Sequence, residues 1–322
     1  MDLKSCKILV SSTSYGKNDP WLKTDLEKQV GEVIYNPYGK PLTSDQVRDL
    51  LPGIDGFIAG LDCIDRNALE KADKLKVIAR YGVGLDGVDL VAAKEKGIIV
   101  TNTPGANSSS VAELAVALML ILARQLNLAF SATQAGKWPR LAGISLEEKT
   151  IALVGLGSIG KEVAKRLKGF KCRILAFDLY PDENFAVSNG IQLAEMDYIL
   201  SQADFVSLHV PLTAETKNLV NEHFIAKMKK GSYLINTARG ELINEDALLI
   251  ALQNGYLSGA GLDALSKEPP EPETPLLALP NVVSTPHLGS QSDGAVRRMG
   301  VMALQDCLAV LQGLPAVHPV NI

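Results

Sequence analysis

The chain has 322 residues, with 32 Lys and Arg against 36 Asp and Glu, a formal charge of −4. That length supports about two domains with cores of their own, and the slightly acidic balance offers no basic face for nucleic acid or an anionic membrane. Four cysteines, Cys6, Cys63, Cys172 and Cys307, lack the close spacing of a metal site, so no metal is expected and a reducing compartment fits. Met1-Asp2-Leu3-Lys4 does not open a basic-then-apolar leader, and the most hydrophobic run, Leu114 to Ala123, is shorter than the ~20 apolar residues a membrane span needs. A cytoplasmic protein without membrane attachment is expected.

Over the first hundred residues, short apolar or β-branched runs alternate with helical stretches. Strands are expected at 7–11, 32–35, 56–59, 76–80 and 98–100. Helices are expected at 21–30, at 44–51 with Ser44 as N-cap, at 65–72, and at 89–96 ending at Gly97. This alternation argues for a parallel sheet covered on both faces. A turn-rich loop, Thr101 to Asn107, then leads into one long helix from Ser109 to about Asn127 that is apolar on nearly every side. A helix of that kind is buried between layers or subunits, so a homodimer, or a tetramer built from it, is expected. From Thr150 the alternation resumes, with strands expected at 150–154, 173–177, 204–208, 232–236, 258–262 and 281–284. A last helix, Asp293 to Gln312, carries the apolar stripe Val296, Met299, Met302, Leu304 and Leu308, and with no strand following it should return to the first domain.

The stretch Val154-Gly155-Leu156-Gly157-Ser158-Ile159-Gly160 falls between the strand at 150–154 and a helix at 161–169, and Asp178 follows Gly160 by 18 residues. Glycines at such a turn let the backbone approach a pyrophosphate, which then rests on the N–H groups of the helix N-terminus. Asp178 closes the next strand, where a carboxylate accepts hydrogen bonds from the adenosine ribose hydroxyls. No Arg or Lys occurs in Leu179-Tyr180-Pro181 to meet a 2′-phosphate, so NAD is expected rather than NADP.

Three polar residues fall where later strands end: Arg239, Glu268 and His287. Oxidising an alcohol carbon by hydride loss requires a base for the hydroxyl proton, and imidazole suits neutral pH. A neighbouring carboxylate orients the imidazole and favours its protonated form. A guanidinium gives two parallel N–H bonds to a carboxylate or carbonyl. Each residue alone is more commonly an ordinary loop side chain; their joint placement singles them out.

Six motifs, RYGVGLDGVDL (80–90), NTPGANSSSVAE (102–113), GLGSIGKEV (155–163), LINTARGELI (234–243), GLDALSKEPP (261–270) and PHLGS (286–290), give the chain from about residue 50 onward its resemblance to the D-isomer-specific 2-hydroxyacid dehydrogenases. The resemblance implies an α/β protein of two doubly wound parallel-sheet domains. One is a flavodoxin-like substrate domain formed by 1–101 and 290–322; the other is a Rossmann NAD-binding domain at 102–289. The two domains would close over the substrate. It implies Arg239 as the substrate-binding arginine, His287 as the acid–base group and Glu268 as its partner. Cofactor contacts are implied for Gly155, Gly157, Ser158, Ile159 and Gly160 at the pyrophosphate, and for Asp178 at the ribose. Further contacts are implied for His209, Val210, Pro211, Thr216, Thr237, Ala238, Arg239, Asp263, His287, Gly289, Ser290 and Val83, with His209 as a pocket wall rather than a second catalytic histidine. The N–H groups of Val83 and Gly84 are implied as holders of the substrate carboxylate, with Arg80 and Asn102 lining the same cleft beside Arg239 and His287.

Within the family the motifs sit nearest the branch that oxidises 3-phosphoglycerate to 3-phosphohydroxypyruvate in serine biosynthesis. That branch commonly carries Arg-Ser-x-Thr after the strand at 57–59, where this chain has Gly60-Leu61-Asp62. One phosphate cation is therefore lacking and a carboxylate lies nearby, leaving Arg80, Lys40, or the partner subunit's Lys137 or the partner's Arg140 as candidates. A reductase for hydroxypyruvate, glyoxylate or another 2-keto acid is the alternative. A non-enzymatic NAD(H)-sensing corepressor is a remote one, as no partner-binding tail is evident. No serine-binding C-terminal module is expected after Ile322.

Overall fold

The computed structural model describes residues 2–320. The first stretch carries strands β1 (Lys7–Val10), β2 (Glu32–Tyr35), β3 (Gly56–Ala59), β4 (Val77–Arg80) and β5 (Ile99–Thr101), with helices α1 (Trp21–Gln29), α2 (Ser44–Leu50) and α3 (Leu90–Glu95). The middle stretch contributes α4 (Ser108–Ala123), α5 (Leu126–Gln134), β6 (Thr150–Val154), α6 (Ser158–Leu167), β7 (Arg173–Phe177), α7 (Glu183–Asn189), β8 (Gln192–Leu193), α8 (Met196–Gln202) and β9 (Phe205–Leu208). It continues through α9 (Glu222–Lys227), β10 (Tyr233–Asn236), α10 (Glu245–Gln253), β11 (Gly259–Leu262) and β12 (Val282–Ser284), and the chain closes with α11 (Asp293–Gln312). These elements form two compact units: one is Ser108–Gly289, and the other ends at Asn107 and resumes at Ser290.

In the interrupted unit five parallel strands lie in the order β2-β1-β3-β4-β5. Side chains alternate faces along each strand. Ile8, Val10, Ile58, Val77 and Ala79 point to one core, which α11 completes with Val296, Met299, Ala303, Leu304 and Cys307. Leu9, Phe57, Ala59, Ile78 and Val100 point to the opposite core, closed by Val47 and Leu51 and by Ala92 and Ala93 of α3. The terminal helix therefore does return to the first unit, as its apolar stripe demands.

The inserted unit holds a seven-stranded parallel sheet in the order β12-β11-β10-β9-β6-β7-β8. Strand β6 lies between β7 and β9, so the order reverses there and its carboxyl end opens at the topological switch point, where ligands of doubly wound sheets bind. Helices α4 and α6 cover one face, and α8, α9 and α10 the other.

Three local expectations are corrected. Residues 65–72 form turns rather than a helix, because the Asp65 carboxylate takes the Ala68 N–H and the Ser44 hydroxyl while Asn67 reaches Ser44 and Asp45. Those short side chains offer the backbone an alternative to the helical ladder. Ser44 is not the N-cap of α2; Thr43 is, in a reciprocal capping box with Gln46. The single helix expected to Asn127 breaks after Ala123: the returning chain gives the Ile144 N–H to the Ala123 carbonyl at 2.7 Å, and Gln125 turns left-handed with φ 51°. Among the described residues no single helix is long and apolar enough to cross a membrane, and α4 with α5 meets that test only as a pair bent by 67°.

Candidate active site

Gly155 has φ +99°, and a Cβ there would meet the His209 carbonyl carbon at 2.8 Å, while one on Gly160 would sit 2.2 Å from the Gly155 oxygen. Both positions are closed to any side chain. A Cβ on Gly157 would meet nothing within 4 Å, so this glycine leaves an open approach to the N-terminus of α6. No side chain caps that terminus, and its first-turn N–H groups, those of Ser158, Ile159 and Gly160, are left for an anion. Asp178 is fixed beside them: its carboxylate accepts from the Leu156 N–H at 2.6 Å and the Tyr180 N–H at 2.8 Å. The glycine turn and the Asp178 carboxylate thus form one hydrogen-bonded piece.

At the ends of β9 and β10 two buried polar atoms have no partner among the described residues, His209 Nδ1 and Thr237 Oγ1. The other His209 nitrogen meets Ser207 Oγ at 2.9 Å, and burial pushes the ring's pKa down to about 4. A ring held neutral at pH 7 fits a pocket wall better than a second proton carrier. Orphaned polar atoms beside a glycine cradle are what a polar cofactor would satisfy, so the residues present fit a dinucleotide. After His209, the chain through Val210 and Pro211 is tied by the Thr216 hydroxyl, which donates to the Pro211 carbonyl at 2.7 Å.

Buried Asn236, which sequence reasoning passed over, shapes the next loop. Its Nδ2 donates to the Arg239 carbonyl at 2.7 Å, and its Oδ1 accepts from the Ala238 N–H at 3.0 Å. Asn at a strand end is the signal that could have revealed it, as that side chain readily pins nearby backbone. A Cβ on Gly240 would fall 1.9 Å from the Leu265 carbonyl carbon, so the Arg239 loop packs directly on the loop bearing Glu268.

Glu268 and His287 meet: Oε2 lies 2.8 Å from Nδ1, and Oε1 accepts from the Leu265 N–H at 3.1 Å. His287 has φ 52°, a left-handed backbone uncommon for non-glycine residues and frequent at functional sites. The Glu268 hydrogen bond, followed by the Glu268 and Asp263 charges, raises the imidazole pKa against opposing desolvation and Arg239. For Glu268 burial is the largest influence and pulls upward, yet the His287 hydrogen bond and charge, the Leu265 N–H and Arg239 together hold the carboxyl below its usual value. Arg239 thus lies near enough to bias both groups. Asp263 is buried and its pKa is raised, chiefly by desolvation. Its carboxylate accepts from Thr285 Oγ1 at 2.6 Å, the Leu288 N–H at 2.7 Å and the Gly289 N–H at 2.8 Å, tying the Thr285 side chain before His287 and the backbone after it.

The remaining candidates belong to the interrupted unit. Arg80 is only 5% exposed and donates to the Gly84 carbonyl at 3.1 Å and the Ala59 carbonyl at 2.9 Å. Asn102 donates from its amide to the Val83 carbonyl at 2.9 Å, and the Thr103 N–H donates to the Gly82 carbonyl at 3.0 Å. The loop carrying Val83 and Gly84 is thus held by its carbonyls. Asp62 is also turned inward: Ser11 and the N–H groups of Leu42 and Gly60 donate to its carboxylate. Ser290 opens the return segment of this unit.

A Rossmann sheet with a glycine cradle at its switch point, and a hydrogen-bonded imidazole–carboxylate pair in the loops that follow β11 and β12, make up the inserted unit, an NAD-binding domain. The chain belongs to the D-isomer specific 2-hydroxyacid dehydrogenase family, whose NAD binding domain model matches residues 116–289. It is 40% identical over 299 residues to the D-3-phosphoglycerate dehydrogenase of Methanocaldococcus jannaschii, covering 92% of this chain and 56% of that protein. It therefore spans little more than half of that relative's length. Against the hydroxypyruvate reductase of Thermotoga maritima it is 41% identical over 294 residues, covering 88% of this chain and 94% of that one. Among solved structures, the TT0316 protein of Thermus thermophilus superposes with a TM-score of 0.88 at 38% identity, covering 98% of this chain and all of that one.

Proposed function

We propose that the protein is an NAD-dependent D-2-hydroxyacid dehydrogenase with Arg239, Glu268 and His287 as its catalytic residues. The observation that carries this reading is the His287–Glu268 pair at 2.8 Å, near Arg239 in an NAD-binding domain. NAD, when bound, supplies the hydride acceptor. Because Nδ1 of His287 is held by Glu268, Nε2 is the nitrogen that takes the substrate hydroxyl proton in oxidation and returns it in reduction. Arg239 binds the substrate carboxylate or polarises its carbonyl, and the Val83 and Gly84 N–H groups are assigned to the carboxylate on the family resemblance.

The substrate we assign is 3-phosphoglycerate, oxidised to 3-phosphohydroxypyruvate in serine biosynthesis. Support comes from the likeness to an archaeal phosphoglycerate dehydrogenase and from the inward turn of Asp62, which relieves the repulsion its sequence position suggested. Two observations favour a second reading, reduction of hydroxypyruvate or glyoxylate: Gly60-Leu61-Asp62 places no cation directly after β3, and Arg80 donates to the Gly84 and Ala59 carbonyls. Assay with NADH against phosphohydroxypyruvate, hydroxypyruvate, glyoxylate, sulfopyruvate and pyruvate separates them by kcat/KM. No turnover on any 2-keto acid sinks the dehydrogenase reading; a preference for an unphosphorylated one sinks the phosphate assignment.

We also assign a homodimer. Helix α5 buries no residue, and Phe130 and Trp138 on and after it are 57% and 85% exposed, an apolar surface that a second copy would cover. Light scattering showing a monomer at micromolar concentration would refute it.

A further inference from the structure

Asp306 is the one charged residue on the buried side of α11, among Ala303, Leu304, Cys307 and Leu308, and it is 0% exposed. A buried carboxylate is tolerated only where donors satisfy it. Here the donors come from the segment that follows the helix: the Val317 N–H at 2.7 Å, the His318 N–H at 3.3 Å, and His318 Nδ1 at 2.9 Å. The segment so captured lies antiparallel along β5. The Asn102 N–H donates to the His318 carbonyl at 3.3 Å, Pro319 bridges to Thr101, and the Val320 N–H donates to the Val100 carbonyl at 2.8 Å.

The backbone clamped in this way is the backbone that supports the Gly82–Gly84 loop. Asn102 carries the amide that holds the Val83 carbonyl, and Thr103, next in the chain, holds that of Gly82. An unbroken relay therefore runs from the Asp306 carboxylate through His318 and Asn102 to the carbonyl side of residues 82–84. Arg80 holds the Gly84 carbonyl in turn. Fixing the carbonyls of a short loop fixes the direction of its N–H groups.

We propose that His318 and Asp306 are positioning residues for the substrate: the C-terminal segment is a brace that aims the Val83 and Gly84 N–H groups. This rests on the reading that those groups hold the substrate carboxylate. A misaimed donor loses directional hydrogen bonds, and the loss of one to a charged group, about 1.5 kcal/mol at the low end, raises KM about 10-fold.

The test uses the full chain with hydroxypyruvate and NADH as probes, comparing wild type, His318→Ala, Asp306→Asn and His318→Asn. In His318→Asn the amide nitrogen takes the place of Nδ1. The expected result is a KM for the keto acid raised about 10-fold in the first two variants, with kcat and the NADH Kd within about 2-fold, and restoration in His318→Asn. Amide hydrogen exchange at Asn102 and Thr103 should speed up in parallel. Unchanged exchange at those amides, or equal losses in kcat and NADH affinity, would overturn the brace. Faster exchange with an unchanged KM would leave the brace standing and overturn the assignment of the loop to the carboxylate. Should Asp306→Asn fail to fold, the His318 pair carries the comparison alone, since that side chain is partly exposed.

Discussion

Substituting Glu268 by Gln keeps the shape of the side chain and removes its charge, and so isolates what the carboxylate does for His287. In the native protein the pair is 2.8 Å apart, with the imidazole 25% and the carboxylate 35% exposed. At that distance and an effective dielectric constant of about 20, the gross attraction is roughly 6 kcal/mol. Desolvation of both partners and screening at this exposure leave a much smaller net, and exchanging a charge-assisted hydrogen bond for a neutral one loses about 1–1.5 kcal/mol. One factor of 10 in rate corresponds to 1.36 kcal/mol, so kcat for keto acid reduction should fall about 10-fold. The pH dependence is the sharper readout. Glu268 raises the imidazole pKa, and reduction needs the protonated ring as proton donor, so the variant should lose reductase activity at a lower pH than wild type. Oxidation needs the neutral ring, and its rising limb should move the same way. The assay is kcat/KM against pH in both directions. Superimposable reduction profiles for Glu268→Gln and wild type would show that the carboxylate does not set the proton affinity of His287.

The same pair should stabilise the fold within a defined window. The raised imidazole contributes fully below its ordinary value of 6.5 and loses its contribution as pH rises through the folded-state pKa; the lowered carboxyl contributes fully above 4.5 and loses it as pH falls through its own. The Tm gap between wild type and Glu268→Gln should therefore be widest between those values, and a gap independent of pH would contradict the assignment. His287→Ala should lower kcat by ~10²–10⁴-fold, measured at saturating NADH; a loss under 10-fold would remove His287 as the acid–base group. Gly160→Ala forces a Cβ to within 2.2 Å of the Gly155 oxygen and should destabilise by about 1–3 kcal/mol. Gly157→Ala, facing open space, should leave Tm nearly unchanged yet weaken NADH binding, and equal affinities would argue against a pyrophosphate there. With Asp178 held between the Leu156 and Tyr180 N–H groups, NADH should bind more tightly than NADPH, and the reverse order by titration would refute its ribose role.

Much of the scaffold is legible in the sequence because fully buried parallel strands read as short apolar runs, and 150–154 and 173–177 coincide with β6 and β7. Strand β8 is too short, at Gln192–Leu193, to leave a periodic trace. The break in the apolar helix after Ala123 depends on Ile144, 21 residues away, taking a carbonyl that a local pattern assigns to the helix. At the site, residue types at strand ends pointed to Arg239, Glu268 and His287. Roles carried by side-chain direction did not show: Asp62 reads as an acid beside a phosphate position, and Arg80 as a cation within reach, until each is seen turned into the fold. Nor does spacing disclose Asn236, whose contribution is to the backbone around Arg239 rather than to chemistry.

The return of α11 to the first unit bears on how the protein is made. A nascent chain ending anywhere before Asp293 has β1, β3 and β4 but lacks Val296, Met299, Ala303, Leu304, Cys307 and Leu308, which complete one of the two cores of that sheet. The inserted unit, by contrast, holds all its strands once Ser284 has emerged. During synthesis the later-encoded cofactor domain can therefore finish folding before the domain that precedes it, which must keep an apolar face waiting for the last helix. A premature stop near residue 290 should accordingly yield a product that exposes that face and invites chaperone or protease capture.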